Sequence, residues 1–234
     1  MIDTFTEYLK TQVRNHSIYV WGAQGQKKPT ITAEWIRSRE RNKGDADRAI
    51  AHWEKEVALG YGDVLRAFDC SGLGVYYFLR HKLIDHDLNA EGLRKLCRAI
   101  ARDEVQAGDM AFRMKDGRAV HVGYAIDENN LVECKGRDDG VVKSRISGWD
   151  RFGRPPFFTS SRVLKLETPY MRGGDVYALQ SALKERGYDP GQLDGIYGKK
   201  TERAVKRFQK DKGLKVDGIA GKRTFAALEL PFTD

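Results

Sequence analysis

The chain has 234 residues, with 41 lysines and arginines against 33 aspartates and glutamates, which gives a formal net charge of +8. Three cysteines in so long a chain argue against a disulfide framework, and the sequence shows neither a signal peptide nor a membrane span. The basic excess is spread along the chain without a nucleic-acid recognition motif, so it favours an anionic surface over a nucleic acid as partner.

Two helices are predicted in the first third of the chain. Residues 4–13 form an amphipathic helix, and residues 45–59 form a second one, with Asp45 as its N-cap and Gly60 as its terminator. The apolar face of the second helix contains Ala46, Ile50, Trp53 and Val57. This helix lies in a long interval at residues 23–67, between two motifs described below.

A cysteine stands at the start of the next predicted helix. Residues 72–79 are apolar, and the helix is expected to begin just after Asp69. A thiol in the first turn of a helix is exposed to the positive end of the helix dipole, which favours the nucleophilic thiolate. Free cysteines are more often buried and inert, but polar Asp69 and Ser71 flank Cys70 and favour a reactive thiol here.

A histidine and a carboxylate complete the set that covalent acyl transfer needs. Residues 119–126 alternate like a strand, which puts His121 on a face of small residues, and Glu133 lies on the following predicted strand. A hairpin between the two would bring Glu133 beside His121, where it could fix the imidazole tautomer. Asp127 and Asp138 are rival partners for the histidine, and a structural histidine or an exposed glutamate would also fit the spacing.

The order of these motifs resembles that of the NlpC-type cell-wall peptidases. The resemblance rests on residues 19–22, 68–73, 107–109 and 121–123 together with Glu133, and extends from about residue 5 to residue 145. These proteins are papain-like cysteine peptidases that cut the stem peptides of bacterial peptidoglycan. The resemblance therefore implies an α+β catalytic domain with a central antiparallel sheet.

The same resemblance implies roles for six residues. Cys70 would attack the substrate and His121 would act as base, while Glu133 occupies the third place, which usually holds histidine. Glu133 and the long interval at residues 23–67 both resemble phage endolysins of this class. The family tyrosine that assists the oxyanion site corresponds to Tyr19. Contacts with the substrate amine would involve Asp69 and Ser71.

The C-terminal part contains an internal repeat. Residues 193–201 recur as residues 216–224, at a constant offset of 23 residues. Each copy is a glycine-punctuated turn that leads into a helix, and helices are predicted at residues 175–186, 201–212 and 222–228. Together these features resemble the three-helix peptidoglycan-binding module of many wall hydrolases. We therefore expect an all-α wall-binding domain here.

The predicted organisation is a catalytic domain at residues 1–165, a linker at 166–174 and a binding domain at 175–234. The insertion at residues 23–67 either walls one side of the substrate cleft or only packs against the domain. The remaining cysteines, Cys97 on a helix capped by Asn89 and Cys134 on a strand, are assigned to the core. Neither a metal nor a cofactor is expected.

The expected activity is hydrolysis of an amide in peptidoglycan through a thioester. The resemblance implies the bond between D-glutamate and the diamino acid of the stem. Cleavage of the muramoyl–L-alanine bond, acyl transfer to an amine, and wall binding by an inactive site remain alternatives. Bacterial peptidoglycan is the expected partner, without nucleic acid or membrane insertion, and the oligomeric state stays open. A wall hydrolase without an export signal would be made in the host cytoplasm and released through a phage holin.

Overall fold

A computed structural model describes residues 2–158, 162–230 and 232. They form two compact units, of which the larger comprises Ile2–Tyr77 and His86–Arg154. The smaller unit combines residues 78–85 with the described part of the chain from Pro155 onward. The compact units divide the chain after Arg154 and around residues 78–85. The domain boundaries expected at residues 165 and 175 stay predictions.

The helices and strands of the larger unit alternate along the chain. Its helices are α1 (Ile2–Arg14), α2 (Ala33–Arg39), α3 (Lys43–Ala58), α4 (Gly72–Arg80), whose last three residues belong to the smaller unit, and α5 (Ala90–Leu96). Its strands are β1 (Ile18–Tyr19), β2 (Gln24–Gln26), β3 (Ala67–Phe68), β4 (Arg98–Ile100), β5 (Met110–Lys115), β6 (Arg118–Ala125), β7 (Asn130–Gly136), β8 (Gly140–Arg145) and β9 (Arg151–Arg154).

The strands form two sheets. Six of them make a sheet in the order β4-β9-β5-β6-β7-β8, in which every neighbouring pair is antiparallel. A three-stranded sheet has the order β1-β3-β2, with β1 parallel and β2 antiparallel to β3. The fold is thus mixed α+β with an antiparallel sheet, as the sequence predicts.

Strand β6 contains an irregularity that the alternating pattern misses. His121 pairs with Arg113, but Ala119 pairs with the next residue of β5, so Val120 has no partner there. Strict alternation along residues 119–126 predicts Val120 and Val122 on one face, but Val122 is fully buried and Val120 is 55% exposed. That prediction is wrong for Val120, because the period of two fails across a bulge.

The long interval before the cysteine contains two helices. Helix α3 confirms the one predicted at residues 45–59, but Asn42 is its N-cap, with a side chain that accepts from the backbone N–H of Asp45 at 2.9 Å. The assignment of Asp45 as N-cap is therefore wrong, and Val57 is 41% exposed rather than part of a buried face. Helix α2 was not predicted. Both helices pack around the core residues Ile18, Val20, Ala23, Ile31, Ile36, Ala49, Ile50, Leu65 and Ala67.

The two cysteines assigned to the core differ in burial. Asn89 caps helix α5 as predicted, by accepting from the backbone N–H of Gly92 at 2.9 Å. The helix ends before Cys97, which adopts an extended conformation and is half-buried, so the predicted place of this cysteine on the helix is wrong. Cys134, in contrast, is fully buried on β7.

The smaller unit has three helices: α6 (Gly174–Glu185), α7 (Lys199–Asp211) and α8 (Lys222–Ala227). Each agrees with its predicted bounds to within two residues. Their shared core consists of Leu164, Val176, Leu179, Ala182, Leu183, Tyr197, Ala204, Val205, Phe208, Ala220, Phe225 and Leu228. The chain before α6 takes part as well, since Arg172 pairs with Ile196 and Met171 packs against the core. The end of the predicted linker is therefore part of the folded module.

One buried glutamine organises each copy of the repeat. The Gln180 side-chain oxygen accepts from the backbone N–H groups of Asp194 and Gly195, and its amide donates to the Thr201 hydroxyl at 3.1 Å. The Gln209 side chain makes the same set of bonds to Asp217, Gly218 and Thr224 in the second copy. These bonds satisfy the turn N–H groups and explain why the aspartate, glycine and threonine recur together.

None of the helices in the described chain has the length and the apolar character of a membrane span.

Candidate active site

The loop between β3 and α4 places Cys70 at the start of the helix. The Asp69 carboxylate accepts from the backbone N–H of Gly72 at 2.6 Å and from the Ser71 hydroxyl at 3.0 Å, so it caps α4. The backbone N–H of Asp69 donates to the carbonyl of Ala23 at 2.9 Å, which ties the loop to the neighbouring segment. Cys70 is half-buried, at the positive end of the helix dipole, as the sequence predicts.

The close approach of this loop to its neighbour requires glycine at position 72. A Cβ atom there would lie 2.1 Å from the Ala23 carbonyl oxygen, far inside van der Waals contact. From the opposite side, the Tyr124 hydroxyl donates to the Ser71 carbonyl at 2.9 Å. The nucleophile loop is therefore fixed by backbone and side-chain contacts on both sides.

The β6–β7 hairpin brings the predicted histidine and glutamate together. Gly123 pairs with Glu133 in the antiparallel register, so His121 lies on the same face two residues away. The distance from His121 Nε2 to Glu133 Oε2 is 2.7 Å. The two side chains are 20% and 9% exposed. The predicted hairpin contact is thus present, in a partly desolvated environment.

The imidazole of His121 also lies close enough to Cys70 for the thiol to raise its pKa. Because Nε2 contacts Glu133, Nδ1 is the ring nitrogen left for the thiol. Burial lowers the pKa of His121, but the hydrogen bonds and charges of Cys70 and Glu133 outweigh it and raise that pKa to about 9. At neutral pH the raised pKa therefore favours the imidazolium form of His121 next to Cys70.

A second side chain affects the charge of Glu133. Burial raises the pKa of Glu133, but hydrogen bonds from His121 and from the Ser144 side chain outweigh this effect, so its pKa is lowered. Ser144 lies on β8, the strand next to the one that carries Glu133. Sequence reasoning missed Ser144, because no motif extends to that strand.

Trp149 is a further site residue that the sequence did not indicate. Its ring stacks on the His121 imidazole, with centroids 5.6 Å apart and planes inclined by 22°. A Cβ atom on Gly123 would lie 2.9 Å from the Trp149 ring, so the small residue beside His121 makes room for it. Trp149 therefore packs against the small residues of β6, and its stacking orients the imidazole ring.

Neither rival carboxylate contacts His121. Asp127 accepts from the backbone N–H groups of Asn129 and Asn130 and so closes its own turn. Asp138 forms an ion pair with Arg48. Of the three candidates, only Glu133 has the position that an orienting carboxylate needs.

Tyr19 lies close enough to the nucleophile to be affected by its charge. The side chain is 8% exposed, and burial together with the charges of Cys70 and Asp69 raises its pKa well above the usual range. Its phenol is therefore neutral and can donate a hydrogen bond. Asp69 and Ser71, the proposed substrate contacts, are engaged with each other and with the start of α4.

The other two cysteines lie in environments that raise the pKa of their thiols. Burial raises the pKa of Cys97 to about 12, and burial also raises the pKa of Cys134. Both thiols are therefore protonated at neutral pH.

No group of three or more metal-binding side chains occurs among the described residues.

Two protein families match separate parts of the chain. The NlpC/P60 family matches residues 55–151, which include the cysteine, the histidine and the glutamate. A family of peptidoglycan binding domains matches residues 172–228. Tyr19 lies outside both matches.

Among curated proteins, the N-acetylmuramoyl-L-alanine amidase CwlL of Bacillus licheniformis is 41% identical over 75 residues, which is 30% of this chain and 21% of that protein. The amidase CwlA of Bacillus subtilis is 41% identical over 126 residues, covering 50% of this chain and 46% of the relative. The chain thus spans less than half of either relative. The crystal structure of the P60 domain of a Mycobacterium avium antigen aligns with 65% of this chain and 96% of its own, at 20% identity and a TM-score of 0.40.

Proposed function

Because the chain carries an NlpC/P60 domain at residues 55–151 and a peptidoglycan-binding domain at residues 172–228, we propose that it is a peptidoglycan hydrolase. The observation that carries the proposal is the single imidazole, His121, whose Nε2 lies 2.7 Å from Glu133 and whose pKa is raised by the neighbouring Cys70 and Glu133. A nucleophile, a base and an orienting carboxylate in one line are what acyl transfer from an amide requires.

The proposed reaction has two steps. The Cys70 thiolate attacks the carbonyl carbon of a stem-peptide amide, and the His121 imidazolium gives its proton to the leaving nitrogen as the C–N bond breaks. An acyl thioester and a free amine result. Water then attacks the thioester while His121 takes its proton, which releases a carboxylic acid and restores the Cys70–His121 pair.

Three neighbouring groups support these steps in the proposal. The Glu133 carboxylate keeps the ring oriented and stabilises its charged form. Trp149 fixes the plane of the imidazole by stacking. The neutral Tyr19 phenol is a donor for the developing oxyanion, while Asp69 and Ser71 remain the proposed contacts of the substrate amine.

The proposed bond joins D-glutamate to the diamino acid of the stem. Cleavage between the muramoyl group and L-alanine is the second candidate, and the names of the two amidase relatives favour it. Delivery through a holin stays a prediction. Transfer of the acyl group to an amine uses the same thioester and differs only in its second step.

The test is digestion of purified sacculi by the wild-type protein, followed by mass spectrometry of the soluble fragments. New amino termini on the diamino acid would establish the first bond, and new termini on L-alanine the second. Fragments joined by new amide bonds would indicate acyl transfer. No released amine at all would contradict a hydrolase and leave a wall-binding protein.

A further inference from the structure

The insertion at residues 23–67 contacts the segment that follows Tyr19. The backbone N–H of Trp21 donates to the Glu40 carboxylate at 3.0 Å, and the Arg39 guanidinium donates to the Gly22 carbonyl at 3.2 Å. On its other side, the backbone N–H of Gly22 donates to the Asp69 carboxylate at 3.1 Å. One short segment therefore connects the end of helix α2 with the residue before the nucleophile.

The negative charge of Glu40 is neutralised within the protein. Its side chain is fully buried, and the Arg137 guanidinium donates to the same carboxylate oxygen from Nε at 2.9 Å and from Nη2 at 2.5 Å. Arg137 also lies over the Tyr19 ring, 5.1 Å from its centroid. Because Glu40 faces inward, the exposed side chains on either side of it, Arg39 and Arg41, make this rim positive.

Arg41 is held by stacking alone among the described residues. Its guanidinium carbon lies 3.6 Å from the centre of a Trp21 ring that is 40% exposed. Within the described part of the chain, neither an ion pair nor a hydrogen bond engages the Arg41 guanidinium. Stacking fixes the plane of a guanidinium and leaves its N–H groups free to donate at the edge.

We propose that the Trp21–Arg41 pair binds a carboxylate of the substrate next to the scissile amide, and so selects stem peptides in which that group is free. The inference rests on the proposed function. A planar guanidinium fork matches the two oxygens of a carboxylate, and the stem carries such groups on glutamate and on the diamino acid. The insertion then contributes directly to substrate choice.

Arg41→Gln tests this role, with Arg37→Gln as the matched control. Arg37 is an exposed arginine on α2, two residues before Arg39, and its replacement removes the same charge. The substrates are the soluble tripeptide L-alanyl-γ-D-glutamyl-diaminopimelate with free carboxylates and the same tripeptide with amidated carboxylates. Both variants are compared with the wild type for kcat and KM on each tripeptide.

The expected result is specific to one substrate. Arg41→Gln should lower kcat/KM for the free tripeptide about 10- to 100-fold, mainly through KM, because a charge-assisted hydrogen bond is lost. The amidated tripeptide should change by less than about threefold, since it cannot use that bond in the wild type. Arg37→Gln should resemble the wild type on both.

Equal losses on the two tripeptides would overturn the proposal, because they would show a structural role for Arg41. An unchanged ratio of kcat/KM between the free and the amidated tripeptide in Arg41→Gln would overturn it too. If the wild type cleaves neither tripeptide, the bond between D-glutamate and the diamino acid is not the one cleaved, and binding of both tripeptides by calorimetry then decides the inference. Tighter binding of the free tripeptide that Arg41→Gln abolishes would support the site, and equal binding by all three proteins would contradict it.

Discussion

Replacement of Glu133 by glutamine keeps the shape of the side chain and removes its negative charge. Glutamine has nearly the same size and can still contact the His121 ring, now 2.7 Å from Glu133 at Nε2. It cannot stabilise the imidazolium by charge, and its amide can hold the wrong tautomer. We therefore expect an intact fold with slower turnover.

The pKa of His121 sets the size of this effect. At about 9 it lies well above its ordinary value of 6.5, and the hydrogen bonds and charges of Cys70 and Glu133 both contribute. Since one pKa unit corresponds to about 1.4 kcal/mol, the imidazolium is favoured by roughly 3 kcal/mol. If Glu133 and Cys70 contribute equally to this stabilisation, loss of the Glu133 charge lowers turnover about tenfold. A wrong tautomer would extend the loss to about ten-thousand-fold.

The assay is kcat/KM on a soluble stem fragment as a function of pH. Because the pKa of His121 is raised, the imidazolium that protonates the leaving amine is present below about pH 9 and is lost above it. In Glu133→Gln this alkaline limb should move to lower pH by about one unit, and Glu133→His should recover part of the activity. Asp127→Asn and Asp138→Asn are the controls. Near-native turnover for Glu133→Gln, with collapse in either control, would refute the assigned role.

Three further predictions concern the nucleophile loop and the binding module. Iodoacetamide should alkylate Cys70 before the other two cysteines, whose thiols have raised pKa values, as peptide mapping would show. Gly72→Ala should lower the free energy of unfolding by about 1–3 kcal/mol, since the added methyl group meets the Ala23 carbonyl, while Gly44→Ala should be neutral or slightly stabilising in a denaturant titration. Removal of residues 167–234 should weaken pull-down by sacculi yet spare turnover of soluble fragments, and loss of that turnover in a folded protein would count against separate roles.

The sequence predicted the parts of the site that depend on local patterns. Cys70 at a helix start and the hairpin that joins His121 to Glu133 follow from one helix and two short strands. The three helices of the module were also predictable, because apolar periodicity and glycine-marked turns define them.

Contacts between distant segments could not be predicted in this way. Trp149 and Ser144 approach the site from separate places in the sequence, and no spacing rule connects them with His121. The exposure of Val120 depends on a bulge, which is a property of strand pairing rather than of one strand. The N-cap of α3 is Asn42 rather than Asp45, because both side chains can cap a helix and they lie only three residues apart.

The most direct measurement is the release of soluble fragments from purified sacculi by the wild-type protein and by Cys70→Ala, with binding to the same sacculi measured in parallel. Cys70 is the proposed nucleophile, so its replacement should abolish fragment release while the binding module still retains the protein on the wall. Fragment release by Cys70→Ala at the wild-type rate would contradict cysteine catalysis at this site.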